Sequence, residues 1–432
     1  MTELALVDVG LLFAAVAFAG VIASRINQSV IPFYILAGML FSPYVLGRLS
    51  EFVGDGVTVA GYDVVAWLTG LALDGHTEFI HLGAELGIVL LLFFLGLEFN
   101  LDRLIAAKER IGKAGSVDLA INFGVGLVLG YALFREPLAA FLVAGVVYIS
   151  SSAIITKSLI DLGWIANDES DPMLGTLVYE DLFIAVYLAV ASALVLGGGS
   201  VSEAAGQIGI AMGFIVGLLI LVYFGTAFFQ RSLETDSHEF TVLRTLGITV
   251  LIAGAALSLQ VSEAVAAFFV GMAFSSTGHV HQLEDLLEAL RDTFAAVFFF
   301  WIGLITNPAV FGDAFVLVAI AAAVVLTTPT KLVSGYLGGR IYDLDARRSV
   351  RVGLGMTTRG EFSLIIASIA LAGAGVGLAT GTAETIYAMA VGYVLFMSIL
   401  GTTLMQFSGR IESVVVPRLE SRENVTPEPA AD

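Results

Sequence analysis

Apolar residues run along this chain in stretches of about twenty, separated by short polar segments. About twenty residues carry a helix across the hydrocarbon of a bilayer, where every backbone polar group must be satisfied within the segment. Cutting the sequence at that length predicts about thirteen spans. They lie near residues 4–23, 31–46, 82–99, 116–134, 138–160, 174–196, 206–229, 241–257, 262–276, 293–305, 313–337, 350–373 and 383–407. A short further helix is predicted around 64–73. The first stretch is too long for a signal-peptide core and lacks a basic leader, so it reads as a retained helix. Residues 108–113 and 281–291 carry the amphipathic pattern of surface helices. The fold class is therefore an all-α membrane protein.

Basic residues assign a direction to this alternation. Arg25 follows the first span, and Arg103, Lys108, Arg110 and Lys113 follow the third. Arg231 and Arg244 flank the loop after the seventh, while Arg340, Arg347, Arg348 and Arg351 crowd the region after the eleventh. Arg410 and Arg418 follow the last, and Arg135 is the main exception. The pattern predicts an outside N-terminus and a cytoplasmic C-terminus. Residues 411–432 read as a short, acidic, disordered tail.

Composition agrees with the spans. Only 13% of residues are charged, against roughly a quarter in a soluble domain, and the mean hydropathy is +0.93. The absence of cysteine excludes disulfides and thiolate metal sites. The net charge of −18 falls mostly in loops and the tail, where it reads as a solvated surface, and no basic footprint for nucleic acid exists. No phosphate-binding loop, dinucleotide fingerprint or zincin spacing is present, so the chain does not read as an enzyme and calls for no cofactor.

Ionisable groups inside spans cost from about 2.5 kcal/mol upward at the bilayer centre and are functional candidates by default. Three predicted spans carry them. The sixth holds Glu180 and Asp181, which as helical neighbours point about 100° apart and cannot share one face. The eleventh holds Pro329 and then Lys331, which needs an anion nearby or must lose its proton. The twelfth is interrupted by Thr357, Thr358, Arg359, Gly360 and Glu361. Arg359 and Glu361 do not face each other on a helix, so each pairs elsewhere or the helix breaks at Gly360. The fifth span has a comparable interruption at Ser150, Ser151 and Ser152. These two interrupted spans lie an odd number of spans apart and so run in opposite directions. Paired broken helices in antiparallel halves point to an inverted-repeat transporter, whose unwound carbonyls and half-helix ends coordinate an ion near the midplane.

At these residues the chain resembles the monovalent cation:proton antiporter-2 family, which includes Kef-type, Kht-type and NapA-type exchangers. The matching pieces are LLLFFLGLEFN (90–100), SSSAIITKSLIDLG (150–163), LVYEDL (177–182), Lys331 and GMTTRGEFSLIIA (355–367). The resemblance implies a K⁺ or Na⁺:proton antiporter with two broken, crossing helices in the NhaA/NapA-like fold. It implies a transmembrane domain over 1–410. Core helices at about 116–196 and 313–407 would slide against dimerisation helices at about 4–99 and 241–305, joined by a linker helix at about 206–229.

By the same resemblance, Asp181 alternately holds the cation and protons. Glu180 is the acid before it, Lys331 pairs with that acid when no cation is bound, and Ser150–Ser152 with Thr357–Thr358 form the crossing. Arg359 and Glu361 belong to its ion-pair and coupling groups. Glu180 departs from the family pattern of Asp or Gln, which leaves the stoichiometry open between electrogenic and electroneutral exchange. The implied partners are monovalent cations and protons, the plasma-membrane bilayer and a second copy of the chain. The nucleotide-binding domain of Kef proteins is not in this sequence, so gating would need a separate cytoplasmic subunit or does not occur. A channel-like K⁺ efflux protein is the rival class, although nothing resembling a carbonyl filter is present.

Overall fold

The computed structural model describes residues 2–49, 51, 58–59, 62–98, 101–196, 226–233, 237–259, 263–275 and 277–423, with single positions at 209, 213–214, 216–218 and 220. Apart from one small hairpin, Thr58–Val59 with Tyr62–Asp63, and an isolated bridge between Ala374 and Leu378, the described secondary structure is helical. Eight of these helices are long and apolar enough to cross a membrane: Leu6–Arg25, Val30–Arg48, Glu78–Leu97, Lys108–Phe134, Ser170–Leu196, His238–Ser258, Ala314–Ile341 and Thr380–Gln406. Shorter apolar helices occupy Pro137–Tyr148, Glu263–Ser275 and Glu361–Ala372. The span expected at 206–229 falls mostly outside the described residues.

The chain divides into two compact units, and four of the five boundaries between them fall within helices. The first comprises Met1–Asn100, Ala185–Val318 and Leu364–Leu395. In it the helix Glu78–Glu98 packs against Glu263–Ser275 and Val280–Ile305, and the last of these also packs against Val30–Phe41. The approach is close enough to need glycine. A Cβ at Gly96 would lie 1.9 Å from the Phe268 carbonyl oxygen, and one at Gly271 2.0 Å from that of Phe93. Small residues let membrane helices meet backbone to backbone, where packing rather than the hydrophobic effect holds them.

The second unit comprises Leu101–Ile184, Ala319–Ser363 and Phe396–Asp432. Its core joins Ile155, Leu159, Trp164, Met173 and Leu177 to Val352, Met356 and Met405. Both interrupted spans are broken here. Pro137 opens the helix Pro137–Tyr148, where its missing N–H costs nothing. That helix stops before Ile149, and Ser151 caps the next, Ser152–Asp161, by accepting the Ile154 N–H at 3.3 Å. In the same way Asp345 caps Ala346–Gly355, and the chain unwinds over Met356–Gly360 before Glu361–Ala372 begins. The lysine-bearing helix, Ala314–Ile341, runs on through Pro329.

Three expectations change. Residues 108–113 are not a separate surface helix but early turns of Leu101–Phe134. Residues 281–291 likewise continue into the span at 293–305 as one helix, Val280–Ile305. The tail is not disordered from 411, because a helix runs over Ser408–Glu423. Within it Glu412 is buried and accepts hydrogen bonds from Arg347 Nε at 2.8 Å and Arg351 Nε at 2.7 Å.

Candidate ion-binding site

Breaking a helix leaves N–H groups at one end and carbonyls at the other without partners, and it leaves the ends of two helix dipoles facing inward. The second unit brings two such breaks together. The Ser151 N–H donates to the Thr358 carbonyl at 3.3 Å, and the Ser150 hydroxyl reaches the Met356 carbonyl at 3.2 Å. Charged side chains then meet the exposed ends.

Arg359 answers the carbonyls. It is fully buried, donates from Nε to the Val147 carbonyl at 3.0 Å, and donates from Nη1 to those of Met356, Thr357 and Thr358 at 3.2, 3.1 and 2.9 Å. A cation thus sits at the C-terminal ends of both half-helices, where the dipole favours it. Glu361 opens the helix Glu361–Ala372 and accepts from the Ser151 hydroxyl at 2.7 Å. Ser363 ties the strands of the crossing together through the Val146 carbonyl at 2.7 Å.

Arg359 thus holds four of the carbonyls at the two breaks.

Glu180 lies fully buried beside the break, with Asp181 next to it at 7% exposure. The helix carrying them begins at Ser170 rather than near 174, so both are well inside the span and not at its margin. Glu180 accepts from the Ser150 N–H at 2.7 Å and the Ser150 hydroxyl at 3.0 Å. Its Oε1 lies 2.5 Å from Nζ of Lys331, whose side chain is fully enclosed rather than reaching toward an interface.

A second carboxylate touches the same ammonium, one that the pattern of apolar spans does not single out. Asp118 Oδ2 is 2.7 Å from Lys331 Nζ. Its Oδ1 accepts from the Ser334 hydroxyl at 2.6 Å and the Asn122 amide at 2.8 Å. The predicted span began at 116, which placed Asp118 at a boundary where an acid is unremarkable. The observed helix starts at Leu101 and puts Asp118 midway along. The available signal was Asp118 followed by Asn122 one turn later in apolar sequence. Aromatic rings close the cluster: Tyr148 stacks edge-on with Phe123 and Phe183, and Lys331 Nζ stands 5.1 Å over the Tyr148 ring.

The hydroxyls divide by what they hold. Ser150 and Ser151 bind Glu180 and Glu361, while Thr357 turns back onto the Leu354 carbonyl at 2.7 Å. Ser152 is half-buried at the start of its helix. Thr358 Oγ1 is buried without a hydrogen-bond partner among the described residues. A buried hydroxyl left in that state is unusual and asks for a ligand or a function.

Three comparisons bear on this geometry. The sodium/hydrogen exchanger transmembrane family matches residues 11–407. The chain is 35% identical over 405 residues to the K⁺/H⁺ antiporter subunit KhtU of Bacillus subtilis, covering 94% of this chain and 93% of that one. It is 31% identical over 393 residues to the ammonium/H⁺ antiporter subunit AmhT of Alkalihalophilus pseudofirmus, covering 88% and 95%. The sodium/proton antiporter MjNhaP1 of Methanocaldococcus jannaschii shares the fold, with a TM-score of 0.68 at 15% identity over 95% of this chain and 99% of that one. With its apolar helices, its fold and a family match over nearly its whole length, the chain is a multi-pass membrane protein of the sodium/hydrogen exchanger family.

Proposed function

We propose that the protein exchanges a monovalent cation, K⁺ before Na⁺, for protons across the plasma membrane by alternating access. The observation that carries this reading is the buried carboxylate pair Glu180–Asp181 beside two helix breaks joined by a backbone hydrogen bond. Asp181, the less enclosed of the two, is the shared ligand. As a carboxylate it holds a partly dehydrated cation, with the Thr358 hydroxyl replacing lost water. Protonation removes the charge and releases the ion. An empty charged site is costly to carry through the low-dielectric barrier, whereas a neutralised or cation-paired one is cheaper. The two permitted crossings therefore carry different passengers.

The rest of the assignment follows the family pattern. The broken helices belong to inverted repeats, the helices around them move against a dimerisation domain, and two copies associate. The N-terminus lies outside and the C-terminus in the cytoplasm. The names of KhtU and AmhT describe antiporter subunits, which supports a separate cytoplasmic partner here too. The preference for K⁺ rests on the likeness to KhtU, a K⁺/H⁺ antiporter subunit.

Purified protein in liposomes with a trapped pH dye tests the reading. Addition of K⁺ shifts the internal pH with saturable dependence on the cation, and Na⁺ does so at higher concentration. A channel admits the cation without a proton-coupled dye response, and that result would discard exchange.

A further inference from the structure

The exchange scheme leaves Asp118 without a task. Lys331 is enclosed between two carboxylates, 2.7 Å from Asp118 Oδ2 and 2.5 Å from Glu180 Oε1. The two acids are held in different ways. Asp118 is fixed from two continuous helices: by Asn122, one turn along its own, and by Ser334, one turn beyond Lys331 on the lysine's helix. Asn122 also donates to Ser334 Oγ at 2.9 Å, which closes the ring. Glu180 is held by Ser150, which belongs to a helix break, and it adjoins Asp181.

We propose that Asp118 is the standing counter-ion of Lys331 and makes the exchange electroneutral. The inference rests on the exchange reading above. When a cation reaches Asp181 and Glu180 turns toward it, the ammonium still has Asp118. Without Asp118, that turn would strand a buried ammonium with no counter-charge, a state costly enough that the lysine would have to give up its proton. Each cycle would then release two protons, one from Asp181 and one from Lys331, for one cation, and would move one net charge. With Asp118 in place Lys331 stays charged throughout. The single proton exchanged is that of Asp181: one cation binds as one proton leaves, and no net charge crosses. Asp118 does not touch the cation in this scheme; it is a positioning residue that acts through Lys331.

The test uses the full chain in proteoliposomes on a solid-supported membrane, with current and trapped pH dye read together under K⁺ pulses. Wild type is expected to give a dye response with no net charge per cation, and its equilibrium does not shift with potential. Asp118→Asn is expected to move about one charge per cation, so that its equilibrium shifts about tenfold for each 60 mV. Asp118→Glu restores voltage independence. A residue that only braced the fold would change the amount or rate of transport and not its charge. Net charge movement by exchanging wild type overturns the proposal, as does Asp118→Asn exchanging without charge. The wild-type arm decides even where the asparagine variant fails to fold. A missing wild-type dye response defeats the exchange reading, whereas a dye response accompanied by current defeats this inference alone.

Discussion

At the scale of single residues the site is a problem in charge compensation. Lys331 and its two carboxylates are all enclosed, so each depends on the others for what water would otherwise supply. Lys331→Met keeps the volume and leaves two buried anions without a cation. Breaking a buried pair from one side costs about 3–5 kcal/mol, and the variant is expected to melt well below wild type in a detergent thermal-shift assay. An unchanged melting temperature would mean that the acids are neutral in the folded protein. Thr358→Val removes a hydroxyl that holds no hydrogen bond among the described residues. Its melting temperature is expected to stay near wild type. Its apparent KM for the cation is expected to rise about tenfold, the weight of one interaction with a charged partner, in a titration of the dye response. At this scale the sequence named Glu180, Asp181 and Lys331 because charges in apolar sequence stand out. Asp118 stayed hidden because a span read by its apolar length alone began too late.

At the scale of elements, the two broken helices need something to occupy their ends. Arg359 satisfies four carbonyls across both breaks, a function that depends on reach and on the fork of the guanidinium. Arg359→Lys keeps the charge but cannot span them. We expect it to lose several kcal/mol of stability, on the order of the cost of leaving buried groups unsatisfied, measured by thermal shift beside Lys331→Met. The interruptions themselves were legible, because polar residues cluster at 150–152 and 357–361 within apolar runs. Which partner each buried charge takes was not legible, since the bonds of Glu180, Glu361 and Lys331 join positions far apart in the chain. The same limit applies to the C-terminal helix. Its composition reads as disorder, yet Glu412 is held by Arg347 and Arg351 more than sixty positions earlier. Arg351 also pairs with Glu169 at 2.8 Å and lies over the Trp164 ring at 5.1 Å. Glu412→Ala should release this helix, and hydrogen exchange over 408–423 should quicken while the core of the unit keeps its protection. Unchanged protection there would show that the helix holds itself.

At the scale of the whole molecule, composition and periodicity carried the class: a chain with half the usual charge and long apolar runs is a membrane protein. Family membership adds the fold, and the site adds the chemistry. The central claim joins them: one carboxylate, Asp181, is held in turn by a cation and by a proton. Asparagine at that position is close in shape, carries no charge and releases no proton in the physiological range. The direct measurement is the K⁺-driven dye response of Asp181→Asn in proteoliposomes, beside wild type at matched protein content and comparable melting temperature. The account predicts that proton-coupled flux disappears in the variant. Saturable, proton-coupled K⁺ flux that persists in Asp181→Asn would contradict it.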